Sequence, residues 1–157
     1  MKNIVTGIMI FLLSVSVFGV EGMTTIESDY SVNETADRFI KVIEKKGLTL
    51  FTRINHQNNA QNAGLTLRAT EVIIFGNPKI GTPLMHCAQS VAIDLPQKVL
   101  IHKDENNKVF VSYNNPEYIK SRHDIEGCDQ IINKISNVLA KLTQAAAQDS
   151  NNHTQSE

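Results

Sequence analysis

The chain has no tryptophan and only two cysteines among its 157 residues. One bridge at most can form, so a disulfide-stapled scaffold is excluded. Neither charge sign is in excess: 15 Lys and Arg face 16 Asp and Glu, for a net charge of −1. With no basic surplus to neutralise phosphates, nucleic-acid binding is not expected. Nothing resembles a polybasic membrane patch. The five histidines show no HxxxH or HExxH spacing, and no CxxCH is present for haem attachment. The phosphate-loop pattern GxxxxGK[ST] and the nucleophile elbow GxSxG are also missing. No cofactor is expected on these grounds.

Long apolar runs are missing too, apart from one at the start. "MKNIVTGIMIFLLSVSVFGVEG" carries Lys2, then an apolar stretch from Ile8 to Phe18. It is short for a span of ~20 apolar residues. Val17 and Gly19 suit the −3 and −1 positions of a cut after Gly19, so residues 1–19 read as a signal peptide. No cysteine follows for lipid attachment. The mature protein is therefore expected to be soluble and exported, most simply to a bacterial periplasm. What remains has the length of one domain with an ordinary globular composition, 41% hydrophobic and 20% charged.

Periodicity orders that domain. "TTIESDY" reads as a first strand. "SVNETADRFIKVIEKKG" reads as a helix, with Ser31 and Glu34 as a capping box and Ala36, Phe39, Ile40 and Ile43 as its apolar stripe. Gly47 suits a left-handed cap. "LTLFTRI" (48–54) is a strand, "NHQNNAQNAG" a short helical turn, and "LTLRATEVIIFG" (65–76) the longest strand. "TPLMHCAQ" looks helical, with Thr82 as N-cap and Pro83 as first residue. "QKVLIHKDENNKVFVSY" is a hairpin with Asn106 and Asn107 at its tip. Asn115 and Pro116 open a short helix. Residues 128–147 form the strongest helical pattern, and 148–157 should be a disordered tail. The expectation is an α+β fold, a mainly antiparallel sheet of four to five strands with helices on one face. Phe51, Leu65, Leu67, Ile74 and Leu100 are more apolar than a wet sheet face requires, which favours a homodimer.

The candidate chemistry gathers around "VIIFGNPKIGTPLM". Gly76, Asn77, Lys79, Gly81 and Thr82 offer donors before a helix, where an anion could sit. The plainer reading is that the glycines serve turns. In "MHC", Met85, His86 and Cys87 point about 100° apart on a helix and cannot all face one ion. Asp94, before Leu95 and Pro96, reads as a turn or cap acid. Export and an even cysteine count favour a Cys87–Cys128 disulfide. It would close a 41-residue separation, worth roughly 4 kcal/mol in the chain-entropy model.

These segments together resemble the bacterial family known as domain of unknown function 302. The resemblance rests on the His56…Ala60…Ala63-Gly64 segment, Phe75-Gly76-Asn77-Pro78, Gly81-Thr82-Pro83-Leu84-Met85, Asp94-Leu95-Pro96 and Tyr113. It covers about residues 26–145, so a single domain is assigned to 26–147. It implies a fold like one repeat of the TATA-binding protein, β-α-β4-α, and homodimers, but no activity. Many relatives carry Asp before the histidine, where this chain has Asn55.

His56 opens a polar segment beside small Ala60 and Ala63, and an imidazole there could bind an anion, donate to a carbonyl or ligate a metal. A pocket of His56, Asn59 and the Asn77 turn, with Gly81 and Thr82, is the expected ligand site. The alternative role for His56 is to hold its loop. Three functions compete: a small homodimeric binding or interaction module, a hydrolase-like enzyme using His56, and a metal or haem carrier using His56, Met85 or His86.

Overall fold

In a computed structural model, residues 20–149 are described. The expected signal peptide and nearly all of the expected tail lie outside them. Among the described residues there are five strands and five α-helices: β1 Met23–Ser28, α1 Val32–Lys45, β2 Thr49–Asn55, α2 His56–Asn62, β3 Thr70–Gly76, α3 Pro78–Cys87, β4 Gln97–Lys103, β5 Val109–Asn114, α4 Pro116–Arg122 and α5 Asp129–Ala147. A 3-10 helix, Gln89–Ile93, follows α3. The strands make one antiparallel sheet in the order β1-β5-β4-β3-β2. The α+β expectation holds, with five strands.

Local chemistry sets most boundaries. Ser31 Oγ accepts from Glu34 N at 3.3 Å and starts α1. Asn115 Oδ1 accepts from Glu117 N at 2.9 Å ahead of Pro116 and starts α4. At the hairpin tip, Asp104 Oδ1 accepts from Asn106 N and Lys108 N, and Asn107 takes a left-handed φ of 65°.

Two expectations fail. The strand expected over 65–76 exists only from Thr70. The last backbone bond on this side is Lys103 N to Ala69 O at 2.9 Å, where β4 ends, β2 ends at Asn55↔Glu71, and Leu65 N bonds Ala60 O instead. Leu65 and Leu67 are consequently exposed in a connection. The helix expected from Thr82 starts five residues earlier. Asn77 Oδ1 accepts from Lys79 N at 2.9 Å, Pro78 follows as first residue, and Pro83 lies inside α3.

Strand alternation divides the sheet. Ile73, Phe75, Val99, Ile101, Val111 and Tyr113 face α1 and α5 and build the core with Phe39, Ile43, Ile132 and Leu139. Arg38 from α1 grips the C-terminal end of α5: its Nε donates to Ala146 O at 2.9 Å and one terminal nitrogen to Gln148 O at 3.1 Å. Ile54, Val72, Ile74, Leu100 and Phe110 alternate onto the other face, where they are half-buried.

His102 shares that second face, its ring 5.9 Å from Phe110. Its Nδ1 is buried without a hydrogen-bond partner. Burial is the largest influence and holds its pKa below the ordinary 6.5, Asp104 pulling upward and Arg68 downward. A histidine with a depressed folded pKa gives its full stability above pH ~6.5 and loses it as pH falls from there through the folded value. The ring is only partly shielded, so the swing should be small. Melting temperatures of wild type and His102→Leu should diverge between pH 7.5 and 5, the wild type falling further. Parallel curves would refute the assignment.

Candidate functional site

The cleft is made by the turn out of β3. Phe75 ends the buried side of that strand, Gly76 and Asn77 break it, and α3 returns across the sheet end with Ile80, Gly81 and Met85 lining the space. The facing wall is α5, through Ile135, Val138 and Leu139. Leu95, Pro96 and Ala92 form the floor between the 3-10 helix and β4. The cleft is open on one side and has a volume of about 320 Å³, at the low end of the ~300–1,000 Å³ typical of ligand pockets. Its polar side chains are few: Asn77, Thr82, Gln97 and Lys134.

Phe51 reaches the cleft through a bulge. β2 and β3 pair Leu50↔Phe75 and then Thr52↔Ile74, which leaves Phe51 as the extra residue. Such a bulge re-aims a side chain. The ring leans over Gly76, where an added Cβ would sit 3.4 Å from Phe51 Cε2. Phe51 is still half exposed, at 51%. It therefore belongs to the cleft mouth, not to the sheet face that the sequence suggested.

The elements that make the two walls, α3 and α5, are joined covalently. Cys87 closes α3 and Cys128 caps α5, and they form the expected disulfide with a Cα separation of 6.5 Å. "MHC" thus divides three ways. Met85 lines the cleft, His86 is exposed, and Cys87 is bridged. Among the described residues no group of three His, Cys, Asp or Glu side chains could hold a metal.

The five expected ligand residues separate. Asn77, Gly81 and Thr82 line the cleft. His56 and Asn59 do not, because β2 and β3 are antiparallel: Asn55 pairs with Glu71 at one end and Thr49 with Gly76 at the other. Along the strand, Glu71 lies roughly 20 Å from Asn77 at ~3.3 Å per residue. The expected pocket of His56, Asn59 and the Asn77 turn is therefore not formed. Both His56 and Asn59 are exposed on α2. The residue that fixes this loop is Asn55, whose Oδ1 accepts from Asn58 N at 2.8 Å and whose Nδ2 donates to Glu71 Oε1 at 3.2 Å.

Glu71 itself is 3% exposed, and Arg53 answers it. Arg53 also bonds Asp37 and Asn33 on α1. Hydrogen bonding to Glu71 is the leading reason that its pKa is raised. This network is mutually satisfied and ties β2, β3 and α1 together.

Asp94 corrects a second reading. Its carboxylate does not cap a local turn. Oδ2 meets His123 Nε2 at 2.6 Å, and Oδ1 accepts from Arg122 at 3.0 Å. His123 Nδ1 meets Ser90 Oγ at 3.0 Å. Serine, histidine and aspartate thus stand in a chain, but none of the three lines the cleft. With Arg122 on its second oxygen, Asp94 binds both residues at the end of α4 to the 3-10 helix, and we read the chain as a clamp. Separations of 28 and 33 residues left no local signal for it.

The fold and cleft define a small α+β domain with an apolar site at one end of an antiparallel sheet. The chain belongs to the family described as "Domain of unknown function DUF302", whose pattern matches residues 24–142. The crystal structure of an uncharacterized conserved DUF302 protein from Bacillus stearothermophilus superposes with a TM-score of 0.73 at 16% identity, covering 81% of this chain and 99% of that one. At that identity the likeness establishes the fold alone. The fluoride-specific ion channel FluC 1 of Brucella suis is 40% identical over 104 residues, covering 66% of this chain and 41% of the relative. FluC 2 of Brucella melitensis is also 40% identical over 104 residues, 38% of its length. This chain thus spans about two-fifths of the curated relatives it matches. No helix among the described residues here is long and apolar enough to cross a membrane, and the channel name is kept for those relatives.

Proposed function

We propose that the protein is an exported, homodimeric binding module that holds a small apolar molecule between α3 and α5. The observation that carries this reading is the cleft itself, about 320 Å³ lined almost wholly by apolar side chains. Sites of this make-up gain affinity from buried apolar surface and take orientation from a few polar groups. Dimerisation is supported by Ile54, Val72, Ile74, Leu100 and Phe110, which share the sheet face away from α1 and α5. Export is supported by the leader-like residues 1–19 and by the cysteine pair.

Gly81→Leu is the chosen probe. An added Cβ at Gly81 would make only ordinary contact, 3.7 Å from Leu95 Cδ1, and its backbone is helical. A leucine there fills the cleft, and a helical glycine is ~0.5–1 kcal/mol worse than alanine, so stability should not fall. Native mass spectrometry with the uncharged probe N-phenyl-1-naphthylamine is expected to show a dimer of chains beginning near Val20, with one probe per chain. Gly81→Leu should keep the dimer and lose the probe. A monomer, an uncut chain, or undiminished probe on the variant would each sink the corresponding part.

A further inference from the structure

The polar groups at the cleft point to the chemistry of its occupant. Among the described residues, Lys134 is the one charged side chain that lines it. Among the described residues Lys134 takes part in no ion pair. No Asp or Glu lines the cleft to compete for it or to attract a cationic ligand. The remaining polar side chains add donors. Asn77 has committed its carbonyl oxygen to Lys79 N, which leaves its amide N–H groups. Thr82 and Gln97 supply a hydroxyl and a second amide. An apolar cavity bordered by Lys134 and by neutral side chains that can donate, with no acid among its described lining residues, suits an anionic headgroup.

We propose that the occupant is a single-chain carboxylate, with its hydrocarbon body between α3 and α5 and its carboxylate against Lys134. This rests on the reading of the cleft as a ligand site, and it adds the ligand's class. The apolar body supplies most of the affinity. The headgroup contact discriminates, and with Lys134 exposed its share is modest, about fivefold. That share should shrink as salt screens it.

Three ligands of one chain length decide the matter: decanoate, decanol and decyltrimethylammonium, each displacing N-phenyl-1-naphthylamine from the full-length protein at low salt and pH 7.5. Decanoate should displace the probe about fivefold more tightly than decanol, and the cation should be weakest. Lys134→Gln, on an exposed helix position, should erase the difference between decanoate and decanol and leave decanol unchanged. Equal displacement by decanoate and decanol in wild type would overturn the carboxylate assignment while leaving the cleft as a site. So would a preference that survives in Lys134→Gln. Failure of the probe itself to bind would remove the cleft reading with it.

Discussion

Cys87→Ser/Cys128→Ser, or full reduction of the native bond, is expected to lower stability by roughly 4 kcal/mol. The bond closes a 41-residue separation. In the chain-entropy account, opening it restores the freedom of that whole stretch to the unfolded chain. For a domain of this size the loss corresponds to a melting temperature lower by about 10–20 °C. The stretch contains the 3-10 helix, the β4–β5 hairpin and α4, so the bond restrains about a third of the fold. Thermal unfolding with and without reductant, with alkylation to count free thiols, measures the effect. Equal melting temperatures in fully bridged and fully alkylated protein would refute it. Because the bond joins the two walls of the cleft, the same samples should differ in probe affinity.

Phe39→Ala is expected to cost about 3–5 kcal/mol. Phe39 is fully buried on α1, and its ring meets that of Phe75 edge-on at 5.1 Å. Removal leaves a cavity under the sheet and forfeits an aromatic pair. Phe75 also lines the cleft, so its ring loses its support from below. Phe39→Leu should cost under about 1.5 kcal/mol, since volume is nearly kept. Urea unfolding of the three proteins should rank them in that order. An alanine variant within 1 kcal/mol of wild type, a value reached by exposed positions, would show that the α1 face is not the core described.

Much of this fold was legible because its cues are local. The stripe of Ala36, Phe39 and Ile43, the Ser31 cap and the Asn115-Pro116 start each act within a few residues, and each appears where the pattern put it. The misread segments failed for different reasons, one of them nonlocal. Leu65 and Leu67 alternate like a strand, but β4 ends at Lys103, opposite Ala69, and leaves them no strand to pair with. Thr82-Pro83 imitates a helix start, but Asn77-Pro78 offers the same chemistry one turn and more earlier and acts first. The candidate site divided in the same way. Asn77, Gly81 and Thr82 lie in the conspicuous turn and do line the cleft. Lys134, Ile135, Val138 and Leu139 were read only as helix residues, because nothing in a helical stripe says which sheet end it covers. His56 drew attention as a lone imidazole in a polar segment, yet antiparallel pairing carries it to the far end of β2.

The strand order has a consequence in time. β1 is the first strand to be made, yet it pairs with β5, Met23 opposite Asn114. α1 likewise packs on α5, the last helix. A growing chain can therefore pack α1 on β2 and β3, but β1 has no strand partner until β5 is made, and closing so long a loop precedes any gain from that pairing. β1 is an edge strand even in the finished sheet, and any fragment that stops before Val109 leaves both its sides unpaired and ready to pair with another molecule. Placement of β1 in the sheet is accordingly expected to wait on the last strand.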